Sequence, residues 1–533
     1  MRSRARIYTR AAIAGLAALT AACSTATSSP TSDRSDMLVL ADAQPLGEYN
    51  PINGYGELGV SPLYDGLLRP QSQSDNTIPE LVPALAASQP ISNPDHTVWD
   101  VALREGVNFH DGTPLDAGDV VATYRSVLDP GTGSEIAASY DMIDTVTAVD
   151  ELHVQFVLRY PYADFPARLL LGIAPSELIA DGPARDSQLN TRPVGTGPYT
   201  LTELRPDQAV FKANPNYWAG EPEVTNLVLT YEPDDNTRAQ HMRSGALSGT
   251  VIPPLLASSF TDPAVSIVAV RTADWRGVSL PSTNPFTSDE RARIALNIGV
   301  DRDSIIEHVL AGYGEPASTP FNDVYGDSYN PHAAFDYAPE EAKRILDDAG
   351  WIPAADGIRT KGSHRAEFTL MYPASDTTRR DLAHAFASAV QPLGIDVSLH
   401  GATWDEIERH AQSAAILLGG GDKPYSIDTQ VYETLHSRSP NTPTYSNPAN
   451  FTIPGVDEAL ESARRSTDPH VRTAAYQQVQ DAYIQHPTHV FLAFLDHTYA
   501  TTDNTWDTGP LVLEPHTHGT TWGPWWNVAR WQR

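Results

Sequence analysis

The chain has 533 residues, of which 41% are hydrophobic and 19% charged, the make-up of an ordered globular protein too long for one core. Its formal net charge of -30 excludes nucleic acid and anionic lipid surfaces as natural partners, because a strongly acidic surface repels both. The only cysteine is Cys23, which excludes an internal disulfide.

The first 22 residues read as an export signal. Arg2, Arg4, Arg6 and Arg10 form a basic start, and residues 11–19 form an apolar run too short to span a bilayer as a stable helix. Small residues then lead to Cys23. This arrangement resembles the lipobox of bacterial lipoproteins, with Thr20 where leucine is usual and Leu19 one place earlier. The resemblance implies a diacylglycerol on Cys23 and an extracytoplasmic protein held at the membrane, since two acyl chains anchor where one does so weakly. Simple cleavage with an incidental cysteine is the alternative. Residues 23–36 are Ser/Thr-rich and aperiodic, a flexible tether.

Residues 37–41 form an apolar strand. Gly54, Gly56 and Gly59 match a dinucleotide-binding spacing, but Asn50-Pro51 precedes them and no βαβ unit surrounds them, so they read as a loop. In residues 98–104, Trp99, Val101 and Leu103 alternate with Asp100, Ala102 and Arg104, the period of a half-buried strand. Asp111-Gly112 turns the chain, and Asp116 N-caps a helix that buries Val120, Val121 and Tyr124. Residues 149–158, 225–231 and 266–271 read as strands.

Around residues 271–281 the chain crosses to a second lobe, where helix signals dominate. Thr287 and Glu290 have capping-box spacing, and Asp301 caps a helix burying Ile305, Ile306, Val309 and Leu310 before Gly312. Pro339, followed by Glu340 and Glu341 at the positive helix end, opens another. Residues 367–372, 395–399 and 415–418 are strands, with an amphipathic helix at 381–390 between the first two. Asp468-Pro469 starts a further helix, residues 489–494 a strand, and the aromatic tail 504–533 returns to the first lobe.

Several segments, in this order along the chain, resemble the peptide- and nickel-binding group, family 5, of the extracytoplasmic solute-binding proteins that feed ABC importers. They are residues 61–68, 79–86, 99–121, 193–199, 214–218 and 337–351. The resemblance implies an α/β, two-lobed periplasmic-binding-protein-like fold (class II, cluster C type) with a hinge and an interlobe cleft. The expected larger lobe is 37–278 plus 503–533, and the smaller is 279–502. It further implies a monomer that clamps a solute and docks on an ABC permease whose separate ATPase powers transport.

No Gly-x-Ser-x-Gly, His-Glu-x-x-His or phosphate-binding lysine loop is present, so the expectation is no enzyme and no cofactor. A secreted hydrolase stays open as a distant alternative, because folding can assemble a triad from remote residues. A cell-surface adhesion module is another; it predicts binding to surface polymers and no deep cleft. The main site candidate is the glycine-rich stretch 419–428, where backbone can approach a ligand. The resemblance implies that Asp422 pairs with a peptide's α-ammonium, with Gly421 beside it and Tyr425 lining the cleft; a turn role for Asp422 is the alternative. In nickel-binding relatives a downstream histidine contacts the metal complex, and His436 is the nearest candidate. The tryptophan that precedes this loop in those relatives is glycine here, and the arginines that hold metal chelates are replaced by Pro130-Gly131-Thr132-Gly133. His516 and His518 alternate and could chelate a divalent metal from one strand face. Trp522, Trp525, Trp526 and Trp531 read as packing residues. The leading solute is a short peptide; the competing one is nickel or another metal bound by an organic chelator.

Overall fold

The computed structural model describes residues 37–533 except 75–76, 439–441, 503–504 and 518. The export signal, the tether, Cys23 and His518 lie outside the described residues. No described helix is long and apolar enough to cross a membrane.

Lobe I is built on a seven-stranded sheet in the order Ser266–Val270, His497–Thr501, Gly249–Val251, Met37–Asp42, Asn226–Tyr231, Gln208–Ala213, Tyr199–Arg205. Met37–Asp42 pairs in parallel with both of its neighbours. Leu38 and Leu40 enter the main core of the lobe, while Val39 and Ala41 face a smaller one, so the strand is covered on both sides. A four-stranded antiparallel sheet holds Val98–Ala102 against His153–Leu158. Asp116 caps the helix Ala117–Leu128, accepting a hydrogen bond from Gly118 N at 2.6 Å, and Asp119 accepts in return from Asp116 N at 3.0 Å. Trp506, Trp522, Trp525 and Trp531 of the tail pack into the lobe I core.

Lobe II is built on a six-stranded sheet in the order Gly314–Pro316, His489–Leu495, Trp275–Ser279, Ala415–Gly420, Glu367–Pro373, Asp396–Ala402. In the inner strand Ala415–Gly420, Ala415 and Leu417 face one core and Ile416 and Leu418 the other. Such a continuous apolar run needs helices on both faces. Leu296, Leu346 and Leu382 supply one layer, and Val431, Leu460 and Val479 the other. The architecture is α/β with two lobes, as expected.

Some local expectations change. Asp289, not Thr287, caps the helix Glu290–Ile298, because the Thr287 hydroxyl donates instead to Pro281 O at 2.5 Å. The helix expected from residue 381 starts at Thr377 under an Asp376 cap; its polar first turn carries no apolar period to reveal it.

The chain passes between lobes twice. Residues 271–274 join the strand Ser266–Val270 to Trp275–Ser279, and Asp496 joins His489–Leu495 to His497–Thr501. Sheet membership thus changes between Val270 and Trp275 and between Leu495 and His497, where the sequence suggested divisions at 278/279 and 502/503. The crossings are bonded together, Leu495 N donating to Asp274 O at 2.8 Å. Residues 514–516 run alongside them, with Ala273 N donating to Glu514 O at 3.1 Å and His516 N to Gly421 O at 3.0 Å.

Candidate functional site: a charged cavity at the hinge

The parallel strands of both lobes end at one place. Ala43 and Gln44 follow Met37–Asp42, and Ile252 follows Gly249–Val251; from lobe II come Pro373 and Trp404. They line a cavity of about 590 Å³ whose rear wall includes Asp496 and His497 of the second crossing. That volume suits a small-molecule site, for which roughly 300–1,000 Å³ is usual. The carboxyl ends of strands are where open α/β sheets leave a crevice.

Charge is concentrated in one corner. Asp274 is fully buried and accepts from Arg276 Nη2 at 2.7 Å, His497 Nε2 at 3.0 Å and His516 Nδ1 at 2.7 Å. Burial alone would raise its pKa; the Arg276 charge, then His516 and the imidazole hydrogen bonds, outweigh it and hold Asp274 well below the usual carboxylate range. His497 lies between Asp274 and Glu514, its Nδ1 2.8 Å from Glu514 Oε2. Burial works against its charged form, but hydrogen bonds to the two carboxylates outweigh it and raise its pKa. Arg379 Nη2 lies 3.2 Å from His516 Nε2. Both ring nitrogens of His516 are therefore engaged, Nδ1 by Asp274 and Nε2 by Arg379. Arg379 also pairs with Asp376. Burial would raise Asp376, but Arg379, then Arg276, lower it.

This network leaves donors over. Arg276 is 2% exposed and Arg379 8%, both line the cavity, and Nε and Nη1 of Arg276 and Nε of Arg379 have no hydrogen-bond partner. A buried donor left unpaired costs about 1–3 kcal/mol. The two guanidinium groups put cationic charge at this wall, which suits an anionic solute group. Gly419 makes room for Arg276 and His516: a Cβ there would sit 2.3 Å from Arg276 Nη1 and 2.4 Å from His516 Cε1.

The lobes are shut on each other. Thr377 Oγ1 donates to Asp235 Oδ2 at 3.0 Å on one side of the cleft. On the other, Tyr162 Oη donates to Asp428 Oδ2 at 2.9 Å, Ser426 Oγ to Asp164 Oδ2 at 2.5 Å, and Lys423 Nζ lies 3.0 Å from Glu57 Oε1.

Among the residues expected from sequence, Asp422 is exposed at the start of the loop after Ala415–Gly420, and its charge acts on Arg276. Gly421 has φ +100°, and a Cβ would meet Ala273 O at 2.2 Å, so the loop lies directly on the first crossing. Tyr425 packs into the lobe I core. His436 is not brought to the cavity: its ring stacks on Tyr432 at 4.6 Å, and its Nδ1 bonds Ser437 O at 2.7 Å. His516 reaches the cavity, but inside the Asp274–Arg379 network with both ring nitrogens engaged, so a metal would have to displace one of these partners. No group of three or more metal-ligating side chains occurs among the described residues. Sequence reasoning missed Asp274, Arg276, Arg379, Asp376, His497 and Glu514. The one signal available was an acid and an arginine two apart at the expected crossing.

Residues 80–442 match the family described as bacterial extracellular solute-binding proteins, family 5 middle. The chain belongs to that family. This family 5 protein is 39% identical over 510 residues to Protein XP55 of Streptomyces lividans, spanning 93% of this chain and 92% of the other. It is 28% identical over 486 residues to di/tripeptide-binding protein 2 of Pseudomonas aeruginosa, spanning 83% and 86%. In structure it is similar to NikZ of Campylobacter jejuni, solved with Ni(L-His), at a TM-score of 0.82 and 25% identity, covering 93% of this chain and 99% of that one. Family 5 membership makes the chain a solute-binding protein and not an enzyme, which removes the hydrolase alternative.

Proposed function

We propose that the chain captures a short peptide outside the cytoplasmic membrane and hands it to the permease of an ABC importer, with a lipid on Cys23 holding it at the membrane. The observation that carries this reading is the pair of guanidinium groups, Arg276 and Arg379, that line a 590 Å³ cavity between the lobes. A peptide brings a carboxylate to these donors, and Asp422 near Arg276 offers the opposite charge for an ammonium. The di/tripeptide-binding relative supports the same class of cargo. The two lobes, divided at the crossings 271–274 and Asp496, act as jaws. Solute contacts made by both lobes add to the bonds that cross the cleft and so favour the shut form.

A metal chelate is the second reading. The same arginines suit the free carboxylates of a chelator, and the relative NikZ was solved with Ni(L-His). Native mass spectrometry of protein purified from its own host decides between them: a peptide mass supports the first reading, a nickel–chelator mass replaces it. Mass analysis of the N-terminus from the membrane fraction tests the anchor; an unmodified, secreted Cys23 refutes it.

A further inference from the structure

We propose that the hinge cavity continues into a second, apolar subsite, and that the cargo is accordingly an anion with an apolar arm: among peptides, one carrying a leucine-like side chain. The proposal rests on the solute-binding reading and names the class of solute within it.

A hollow of about 330 Å³ lies beside the 590 Å³ cavity. The two share a wall built by both lobes: Asp235, Pro253 and Pro254 from lobe I, Thr377 and Thr378 from lobe II. The first turn of the helix Thr377–Val390 spans the join, for Arg379 lines the cavity while Arg380 and Asp381 line the hollow. One helical turn rises about 5.4 Å, so an arm of a few carbon–carbon bonds reaches from a carboxylate beside Arg379 into the hollow.

The chemistry changes across that wall. The charges around the hollow pair with one another: Asp235 accepts from Thr377 Oγ1 at 3.0 Å and from Arg238, and Arg380 Nε donates to Asp381 Oδ1 at 3.0 Å. The surface left for a ligand is largely apolar, with Pro253, Leu255 and Leu256 from lobe I and Val309 from lobe II. Leu255 is 44% exposed, whereas Pro254 and Ala257 of the same short helix are buried. An apolar group seated there takes its own surface and that of Leu255 out of water, which is favourable in proportion to the area covered. The walls come from different lobes, so the subsite is complete only when they shut, and an apolar arm favours closure.

Calorimetric titration with trialanine, and with leucine placed at each of its positions in turn, tests this. At one position leucine should bind about tenfold tighter than alanine, as burial of the larger side chain requires. Leu255→Asn should keep the unfolding midpoint and the affinity for trialanine, and should cut the leucine gain to about threefold or less. No gain at any position in wild type, or the same gain in the variant, overturns the proposal. If wild type binds none of these tripeptides, the peptide reading fails, and sodium octanoate against sodium acetate in thermal unfolding decides the subsite. Octanoate should raise the wild-type midpoint saturably and more than acetate, and Leu255→Asn should remove that difference; equal shifts by the two salts, or the same difference in the variant, overturn the proposal. If Leu255→Asn does not fold, Leu255→Ala is read in its place with the same outcomes.

Discussion

Arg379→Met tests whether the hinge cavity recognises an anion. Methionine keeps much of the unbranched stem and removes the guanidinium. The variant also takes the guanidinium from Asp376 and His516, so unfolding is measured beside binding. Asp376 still caps its helix through Arg379 N at 2.8 Å, and Asp274 keeps Arg276 and both histidines. The cost to binding follows from the lost charged hydrogen bond, about 1.5–3 kcal/mol, or roughly 10- to 150-fold in Kd. Calorimetric titration with trialanine and with trialanine amide, on both proteins, separates the carboxylate from the rest of the ligand. Wild type should favour the free acid. The variant should lose affinity for the acid by that factor and no longer distinguish the two. An unchanged Kd for the free acid, with unfolding also unchanged, would show that the unused N–H bonds do not face the solute.

Asp496 lines the same cavity, and burial, followed by the charge of Glu315, raises its pKa to about 6. Above that pH its carboxylate opposes an anionic group, so trialanine should bind more tightly as pH falls through about 6, and Asp496→Asn should flatten the profile; identical profiles would refute this. His497 has a pKa raised above its ordinary value, so its contribution to stability is complete below about 6.5 and is lost as pH rises through the folded value. Asp274 is lowered, and its contribution disappears only as pH falls through a folded value well below about 3.9. Thermal midpoints should therefore decline on the alkaline side in a way that His497→Gln abolishes; the same alkaline slope in that variant would count against the network. Gly419→Ala drives a methyl into Arg276 and His516 and should weaken trialanine binding more than it lowers the unfolding midpoint, as titration and calorimetry together would show. Tyr425→Phe removes a buried unpaired hydroxyl and should stabilise the solute-free protein by up to about 1 kcal/mol, measured by denaturant unfolding; a clear destabilisation would mean that the hydroxyl has a partner.

Local pattern carried most of the framework. The alternation of Trp99, Val101 and Leu103, the Asp116 cap, Pro339 at a helix start and the apolar run 415–418 each state their structure through side-chain period or terminal chemistry, and those signals are short-range. The aromatic tail was legible as packing for a similar reason, since large rings need cover. The glycines of loop 419–428 were legible as points of close backbone approach, and Gly421 lies against Ala273 O of the first crossing.

The charged corner was not legible. Asp274 comes from the first crossing, Arg276 from the strand after it, Arg379 from a helix turn with no apolar period, His497 from the strand after the second crossing, and Glu514 and His516 from the tail, up to 242 residues away. Sequence supplies each group's chemistry but not its neighbours. Only tertiary structure decided that His516 would spend both nitrogens on Asp274 and Arg379, or that Lys423 would meet Glu57 across the cleft. Hydrogen bonds and ion pairs act over a few ångströms, so which distant residues share a partner depends on how the two sheets close on each other, and no local pattern records that.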